Sequence, residues 1–248
     1  MPRLNDNNME TALIKGTNFQ YSAARIESLG ATEYTLVTIV TDVSGSVAMY
    51  KDDLEKSIAE IVKACQKSPR ADNLMIRFLT FNNLGNEEHG YKLLTSCNPD
   101  DYIGILKCGG ITALYDASVN AIQATGDYSK VLTDNDFDAN AIVFILTDGA
   151  DNASTYSADK VKEVLKNTIK NEVLESIVTV LIGVDADPDV DQLLKDFKDE
   201  AELTQYVSMG DATAKNLAKL AEFVSKSISS QSNSLGSGQS SDQLSLTI

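Results

Sequence analysis

Short apolar runs alternate along this chain with segments whose apolar residues recur every three or four positions. Four runs rich in β-branched residues lie at residues 34–41, 74–81, 141–147 and 177–184. The first, third and fourth are nearly continuous in apolar residues, which is typical of central strands covered on both faces. Residues 91–95 and 203–209 form weaker runs that indicate edge strands.

Helical periodicity fills the intervals between these runs. Apolar residues recur at helical spacing from Leu54 to Cys65, from Leu114 to Ile122, from Val161 to Leu165 and from Leu217 to Ile228. Strands that alternate with helices predict an α/β fold. We therefore expect a doubly wound, mostly parallel central sheet with one antiparallel edge strand and helices on both faces.

Composition divides the chain into a core and two ends. We expect one domain at residues 34–229 and an N-terminal extension, residues 1–33, that packs partly on it. Residues 230–248 are rich in Ser, Gln and Gly, with Asp242 as the only charge, which predicts disorder. The alternation of Leu244, Leu246 and Ile248 leaves open that this tail adds a strand to a sheet edge.

The charge of the chain argues against two classes of partner. Its 21 Lys and Arg residues against 36 Asp and Glu residues give a net charge of −15. Such a field repels nucleic acid and anionic membrane surfaces. The three cysteines show no Cys-x-x-Cys pairing, so neither a disulfide framework nor a zinc cluster is expected. With no signal-like start and no run of about 18 apolar residues, we expect a cytoplasmic protein.

The first predicted strand ends in Asp42-Val43-Ser44-Gly45-Ser46. In doubly wound sheets, ligand sites lie outside the carboxyl ends of the strands. A carboxylate and two hydroxyls at alternate positions are hard oxygen ligands that suit Mg²⁺ or Mn²⁺. The alternative is structural, with Asp42 capping the next helix and both serines forming the turn.

Two further segments favour the metal site over that alternative. Gly109-Gly110-Ile111-Thr112 places an exposed threonine hydroxyl at the start of a predicted helix, and the third buried strand ends in Thr147-Asp148-Gly149. Each has a structural explanation of its own, as a helix cap or a turn. Their joint occurrence with Asp42 predicts one metal site at the sheet edge, rimmed by Gly45, Gly110, Gly149 and Asp151.

These motifs resemble the von Willebrand factor A domain in its metal-containing, integrin-like form. That family writes its metal-ion-dependent adhesion site as Asp-x-Ser-x-Ser, a distant Thr and a distant Asp, and the chain fills all five positions. The resemblance covers residues 34–229 and implies a Rossmann-like fold. It also implies a stand-alone bacterial type whose metal ligands are Asp42, Ser44, Ser46, Thr112 and Asp148.

The resemblance also implies a mode of binding. The three hydroxyls would hold the ion directly or through water, the two carboxylates would supply charge, and one coordination position would accept a carboxylate from a partner protein. Intracellular bacterial members of the family work beside AAA+ ATPases or with kinase–phosphatase sets of stress responses, so an adaptor role is one implication.

Three other motifs carry less weight. Residues 134–138 start like a calcium loop, but the Gly and Glu that such a loop requires are absent, which favours a solvated acidic loop. In the acidic run at residues 185–191, Asp187 or Asp189 is expected to cap a helix with Pro188 in its first turn, although a second metal is the alternative. His89 is expected to be exposed in a turn.

We therefore expect a non-enzymatic module that captures an acidic side chain of a protein partner through Mg²⁺ or Mn²⁺. Acidic residues flanking the site would repel a free acidic peptide, so the partner's Asp or Glu is expected on a basic surface. A monomer or weak oligomer is expected. The alternatives are a structural or self-assembling protein with a vestigial site and, with less support, a Mg²⁺-dependent phosphoester hydrolase.

Overall fold

An eight-stranded sheet forms the centre of the computed structural model, which describes residues 4–171 and 173–235. In spatial order its strands are β1, β2, β5, β4, β3, β6, β7 and β8. Their bounds are β1 Met9–Leu13, β2 Gln20–Ala24, β3 Glu33–Asp42, β4 Leu74–Phe81, β5 Gly85–Leu93, β6 Asp138–Thr147, β7 Ile177–Gly183 and β8 Gln205–Ser208. Strands β4, β3, β6, β7 and β8 are parallel, whereas β5 runs antiparallel to β4 and β1 antiparallel to β2.

Within the described residues, five α-helices cover both faces of this sheet. They are α1 Lys51–Cys65, α2 Leu114–Thr133, α3 Ala158–Lys170, α4 Pro188–Glu200 and α5 Ala214–Ser234. Apolar residues of α1 and α5 pack in one core cluster, and those of α2, α3 and α4 pack in another. The α/β fold class is confirmed, because the near-continuous apolar strands lie between two helical layers that shield both of their faces. No described helix is long and apolar enough to cross a membrane.

The N-terminal residues extend the sheet beyond the strands that periodicity predicts. The hairpin of β1 and β2 attaches to β5, where Ala23 pairs with Tyr91 and the Ser22 amide donates to the Glu87 carboxylate over 2.9 Å. The segment at residues 91–95, predicted as an edge strand, is therefore interior in its β5 part and continues as a short 3-10 turn. Gly90 permits this attachment, because a Cβ there would lie 1.9 Å from the Ser22 carbonyl oxygen.

The expected exposure of His89 is wrong. This histidine lies on β5 and its side chain is fully buried against Phe78 and Tyr102. Its Nδ1 lies 2.9 Å from the Gly90 carbonyl oxygen, which can only accept, so Nδ1 carries the proton and Nε2 accepts from the Tyr102 hydroxyl at 2.7 Å. Burial lowers the pKa of His89 to about 3, so the ring is neutral at pH 7.

The last helix continues past the expected domain boundary at residue 229. Helix α5 ends at Ser234, and the Gln231 side chain is buried, where its amide donates to the Ala141 carbonyl over 2.9 Å. Because these contacts tie residues 230–234 to the start of β6, the predicted onset of the disordered tail is too early. Residues 236–248, the rest of that tail, lie outside the described residues.

We predict that Gly90→Ala lowers the free energy of unfolding by about 3 kcal/mol, because the new methyl group overlaps the backbone of β2. Gly85→Ala on the same strand is the matched control. A Cβ at residue 85 lies 4.0 Å from its nearest neighbour, the Asn120 side chain, and should cost less than about 1 kcal/mol. Urea unfolding measures both, and equal losses would contradict the attachment of β2 through Gly90.

Acid should destabilise the protein through His89. A histidine with a folded pKa near 3 and an unfolded pKa near 6.5 takes up its proton mainly in the unfolded chain between these values. Its contribution to stability is therefore lost as the pH falls below about 6.5. Between pH 7 and pH 5 we predict that the free energy of unfolding falls by about 2 kcal/mol more in the wild type than in His89→Gln. The same fall in both proteins would show that residue 89 titrates normally in the fold.

Candidate metal site

The loop after β3 begins at a buried carboxylate. Asp42 is the last residue of β3, and its Oδ1 accepts a hydrogen bond of 2.7 Å from the Ser44 amide. Its Oδ2 accepts one of 2.7 Å from the Thr147 hydroxyl at the end of β6. Burial raises the pKa of Asp42 to about 6, although both hydrogen bonds oppose the rise. The Asp42 carboxylate is therefore fixed in orientation, and a nearby positive charge would stabilise its ionised form.

The two serines and Asp148 meet beside this carboxylate. The Ser44 and Ser46 hydroxyl oxygens lie 3.2 Å apart, and Ser44 Oγ lies 3.5 Å from Asp148 Oδ1. Ser44 is buried, Asp148 is half-buried and Ser46 is exposed. The cluster therefore opens to solvent on the Ser46 side.

Thr112 reaches the same place from the loop before α2. A Cβ added to Gly149 would lie 3.5 Å from the Thr112 hydroxyl oxygen, so this hydroxyl adjoins the residue after Asp148. The Gly110 carbonyl accepts from the Gly45 amide over 3.3 Å, which joins this loop to the serine loop. Gly110 has a φ of +84°, a conformation that favours glycine. The backbone conformation at this rim position therefore explains why the residue is a glycine.

Asparagines lock the Thr112 loop on both sides. Asn82 lies in the turn after β4. Its side-chain amide donates to the Gly109 carbonyl over 2.6 Å, and its backbone carbonyl accepts from the Ala113 amide. The Asn152 side chain accepts from the Thr112 amide over 2.8 Å, and the Asn152 amide donates back to the Thr112 carbonyl over 2.9 Å. These hydrogen bonds position Thr112 through its backbone amide and carbonyl, and none of them uses the side-chain hydroxyl oxygen.

The donor set fits a small hard cation. Two ligands on adjacent corners of an octahedron with metal–oxygen bonds of about 2.1 Å lie about 3 Å apart, close to the separation of the Ser44 and Ser46 oxygens. Among residues 4–171 and 173–235, no group of three or more His, Cys, Asp or Glu side chains could hold a metal ion. A site here would thus depend on hydroxyls, with two carboxylates supplying the charge.

Two residues that the sequence motifs do not identify complete the surroundings. Thr147 orients Asp42, as described above, and Tyr50 is buried close to the negative charge of Asp148. Burial, followed by the negative charge of Asp148, raises the pKa of Tyr50. Thr147 stands directly before Asp148, but Tyr50 lies in the 3-10 turn before α1, where no spacing rule points to it.

The acidic residues around the site are partly engaged in local structure. Asp151 accepts from the Ser154 hydroxyl and from the Tyr115 amide at the start of α2. Asp187 caps α4 by accepting from the Val190 amide over 2.9 Å, as predicted for this run. Asp191 pairs with Lys195 over 2.6 Å, and hydrogen bonds such as this one lower its pKa to about 2 although partial burial opposes them.

The ends of β6 separate the two acidic groups that flank it in the sequence. Asp138 begins this strand and Asp148 follows its last residue, so residues 134–138 lie at the end of the sheet opposite the cluster. Asp185 follows β7, whose carboxyl end points the same way as that of β6 because the two strands are parallel. The acidic residues near the cluster are therefore Asp151 and those that follow β7.

Comparison with known proteins gives matches in structure only. No protein-family model and no curated protein matches the sequence. A variant of the PilB minor pilin from Streptococcus sanguinis superimposes on 90% of this chain and 67% of the pilin, with 15% identity and a TM-score of 0.57. Proximal thread matrix protein 1 from the mussel byssus matches 78% of this chain and 45% of that protein, with 20% identity and a TM-score of 0.50.

A von Willebrand factor type A protein from Catenulispora acidiphila also matches. The similarity covers 84% of this chain and 44% of that protein, with 16% identity and a TM-score of 0.52. The chain thus spans about two thirds of the pilin and less than half of the other two proteins. At these identities the likeness is one of architecture, and this chain has a fold like that of a von Willebrand factor A domain.

Proposed function

We propose that this chain is a non-enzymatic protein-binding module that coordinates Mg²⁺ or Mn²⁺ and captures an acidic side chain of a protein partner. One observation carries the proposal. Three loops that are far apart in sequence bring Ser44, Ser46, Thr112 and Asp148 together beside the buried carboxylate of Asp42. This convergence of hard oxygen donors is what a divalent cation requires.

In this proposal the hydroxyls of Ser44, Ser46 and Thr112 hold the ion, directly or through water. Asp42 and Asp148 supply two negative charges, which balance those of the cation. When bound, the ion supplies a positive pole that attracts an incoming carboxylate. The exposed side at Ser46 is where that carboxylate would enter, and Tyr50 would keep Asp148 oriented.

The acidic residues near the cluster determine which charge the partner's surface should carry. Asp151 and the residues after β7 surround one positive point with negative charge, so a free acidic peptide would be repelled by the surroundings while the ion attracts it. An Asp or Glu presented from a basic protein surface suits both features. The adaptor role beside an AAA+ ATPase or a kinase–phosphatase system, the location in the cytoplasm and the monomeric or weakly oligomeric state belong to the same proposal.

The names of the similar structures favour a second candidate. One similar structure is a minor pilin and another is a thread matrix protein of the mussel byssus, so this chain could serve in an assembly with a vestigial metal site. The two candidates differ in a measurable way, because only the first requires that the chain bind a divalent ion.

Metal binding tests the choice between these candidates. We predict that Asp148→Ala lowers Mn²⁺ affinity at least about tenfold in isothermal titration calorimetry, because a half-buried carboxylate beside the ion is lost. Thr112→Ala should weaken binding less, since it removes a neutral ligand. Asp134→Ala removes the same charge from an exposed position at the far end of the sheet and should leave affinity unchanged. Absence of wild-type binding at millimolar metal would favour the vestigial site.

Partner capture should depend on both the metal and the electrostatic field. With the full chain immobilised, we predict that partners retained in Mg²⁺ are lost in EDTA and lost with Asp148→Ala, but kept with Asp134→Ala. Retention should weaken as ionic strength rises from about 0.01 M to about 0.15 M, because salt screens the attraction between an acidic rim and a basic surface. Capture that survives EDTA and Asp148→Ala would refute metal-bridged recognition, and insensitivity to salt would refute the basic surface alone.

A further inference from the structure

An open groove lies between α1 and α5, on the outer side of the layer that these two helices form. Its volume is about 460 Å³, and its floor and walls consist largely of small residues. The small lining residues include Ser57, Ala64, Ala218, Ala221, Ser225 and Ser229. Ala64 and Ala218 are exposed, although α1 and α5 pack tightly beneath them through their larger apolar residues.

The charged residues along the groove pair with one another. Lys56 contacts Asp53 over 2.8 Å on α1, and Lys226 contacts Glu222 over 2.7 Å on α5. Glu60, which also lines the groove, contacts Lys63 over 3.2 Å on α1. Each pair joins neighbours on one helix, so these charges largely cancel along the two rims and leave an apolar floor between them. An uncharged segment with small or aliphatic side chains is therefore a better occupant than an acidic or basic one.

The chain itself carries such a segment directly after α5. Residues 236–248 contain one charge, Asp242, and end in the alternating apolar residues Leu244, Leu246 and Ile248. In an extended segment, alternate side chains point to the same side. These three residues would thus form one apolar edge about 13 Å long, which is shorter than the groove between Ala218 and Ser229, about 17 Å along α5.

The covalent connection also allows this placement. Helix α5 ends at Ser234, beside the lower end of the groove at Ser229. Ala218 lies 17 residues before Leu235, about 25 Å back along the helix, whereas Leu246 lies 11 residues after it and reaches about 36 Å when extended. Gly236 and Gly238 stand where the chain would have to reverse direction.

We propose that residues 236–248 turn back at the end of α5 and lie in the groove between α1 and α5, with Leu244, Leu246 and Ile248 on its alanine floor. The segment then covers from within the same chain a surface that would otherwise face water. In this proposal the small residues of the groove leave room for an extended segment, and the groove is a binding surface rather than a gap in helix packing.

The absence of tryptophan from the chain provides a clean test. In the full-length protein, Leu246→Trp places a single fluorophore in the tail, and Ala218→Glu places a charge on the groove floor at an exposed helical position that tolerates it. Gln192→Glu on α4 adds the same charge elsewhere and serves as the matched control. Circular dichroism verifies that each variant is folded.

We expect the Leu246→Trp protein to show blue-shifted emission and reduced acrylamide quenching, at a protein concentration where sedimentation shows a monomer. Adding Ala218→Glu should shift the emission to the red and raise quenching several-fold, whereas adding Gln192→Glu should change neither. Emission typical of exposed tryptophan, or blue emission that ignores Ala218→Glu, as for a tail paired with a sheet edge, would overturn the proposal. A blue shift that disappears on dilution would overturn it in favour of a second copy in the groove.

Discussion

The parallel pairing of β3 with β6 is the constraint on which the candidate site depends. Thr41 lies opposite Leu146 in this pair, so both strands end at the same level of the sheet. Asp42 and Asp148 therefore leave the sheet side by side, although 106 positions separate them in the sequence. Because both strands are buried in full from residue 34 and residue 139 onward, a one-residue shift in register would move each side chain to the opposite helical layer and disrupt the packing of both layers.

Burial of Asp42 gives this geometry its chemical character. A carboxylate removed from water is costly, and two hydrogen bonds offset only part of the cost, as its raised pKa shows. A bound cation would offset more of it, and Asp148, which lies closer to solvent, would share that cation. Under the proposed function, occupancy of the site would therefore stabilise the end of this strand, whereas ion binding by a pair of exposed carboxylates would not.

Much of the fold follows from the sequence because its strongest signals are local. Near-continuous apolar runs predict β3, β6 and β7, and helical periodicity predicts the buried faces of α1, α2, α3 and α5. The hairpin of β1 and β2 escapes this reasoning because β1 is short and largely exposed, and its place depends on a contact at Gly90, far away in the sequence. His89 is mispredicted for the same reason, since the partners that bury it come from other elements.

The candidate site divides in a similar way. Asp42, Ser44, Ser46, Thr112 and Asp148 could be selected from motifs, because each stands at a strand end or a helix start. The roles of Thr147, Tyr50 and Asn152 come from tertiary contacts that no spacing encodes. The groove between α1 and α5 could not be predicted from the sequence either, because an exposed alanine fits a helical pattern about as well as a charged residue does.

We propose that Asp42, Ser44, Ser46, Thr112 and Asp148 together hold one divalent ion at the carboxyl edge of the sheet. Anomalous diffraction from crystals of the full chain grown with Mn²⁺ tests it most directly. We predict a single strong peak at coordination distance, about 2.2 Å, from the Ser44 and Ser46 hydroxyl oxygens, with Thr112 and Asp148 around it. A peak among the acidic residues at 185–191 instead, or no peak at the serines at millimolar Mn²⁺, would contradict it.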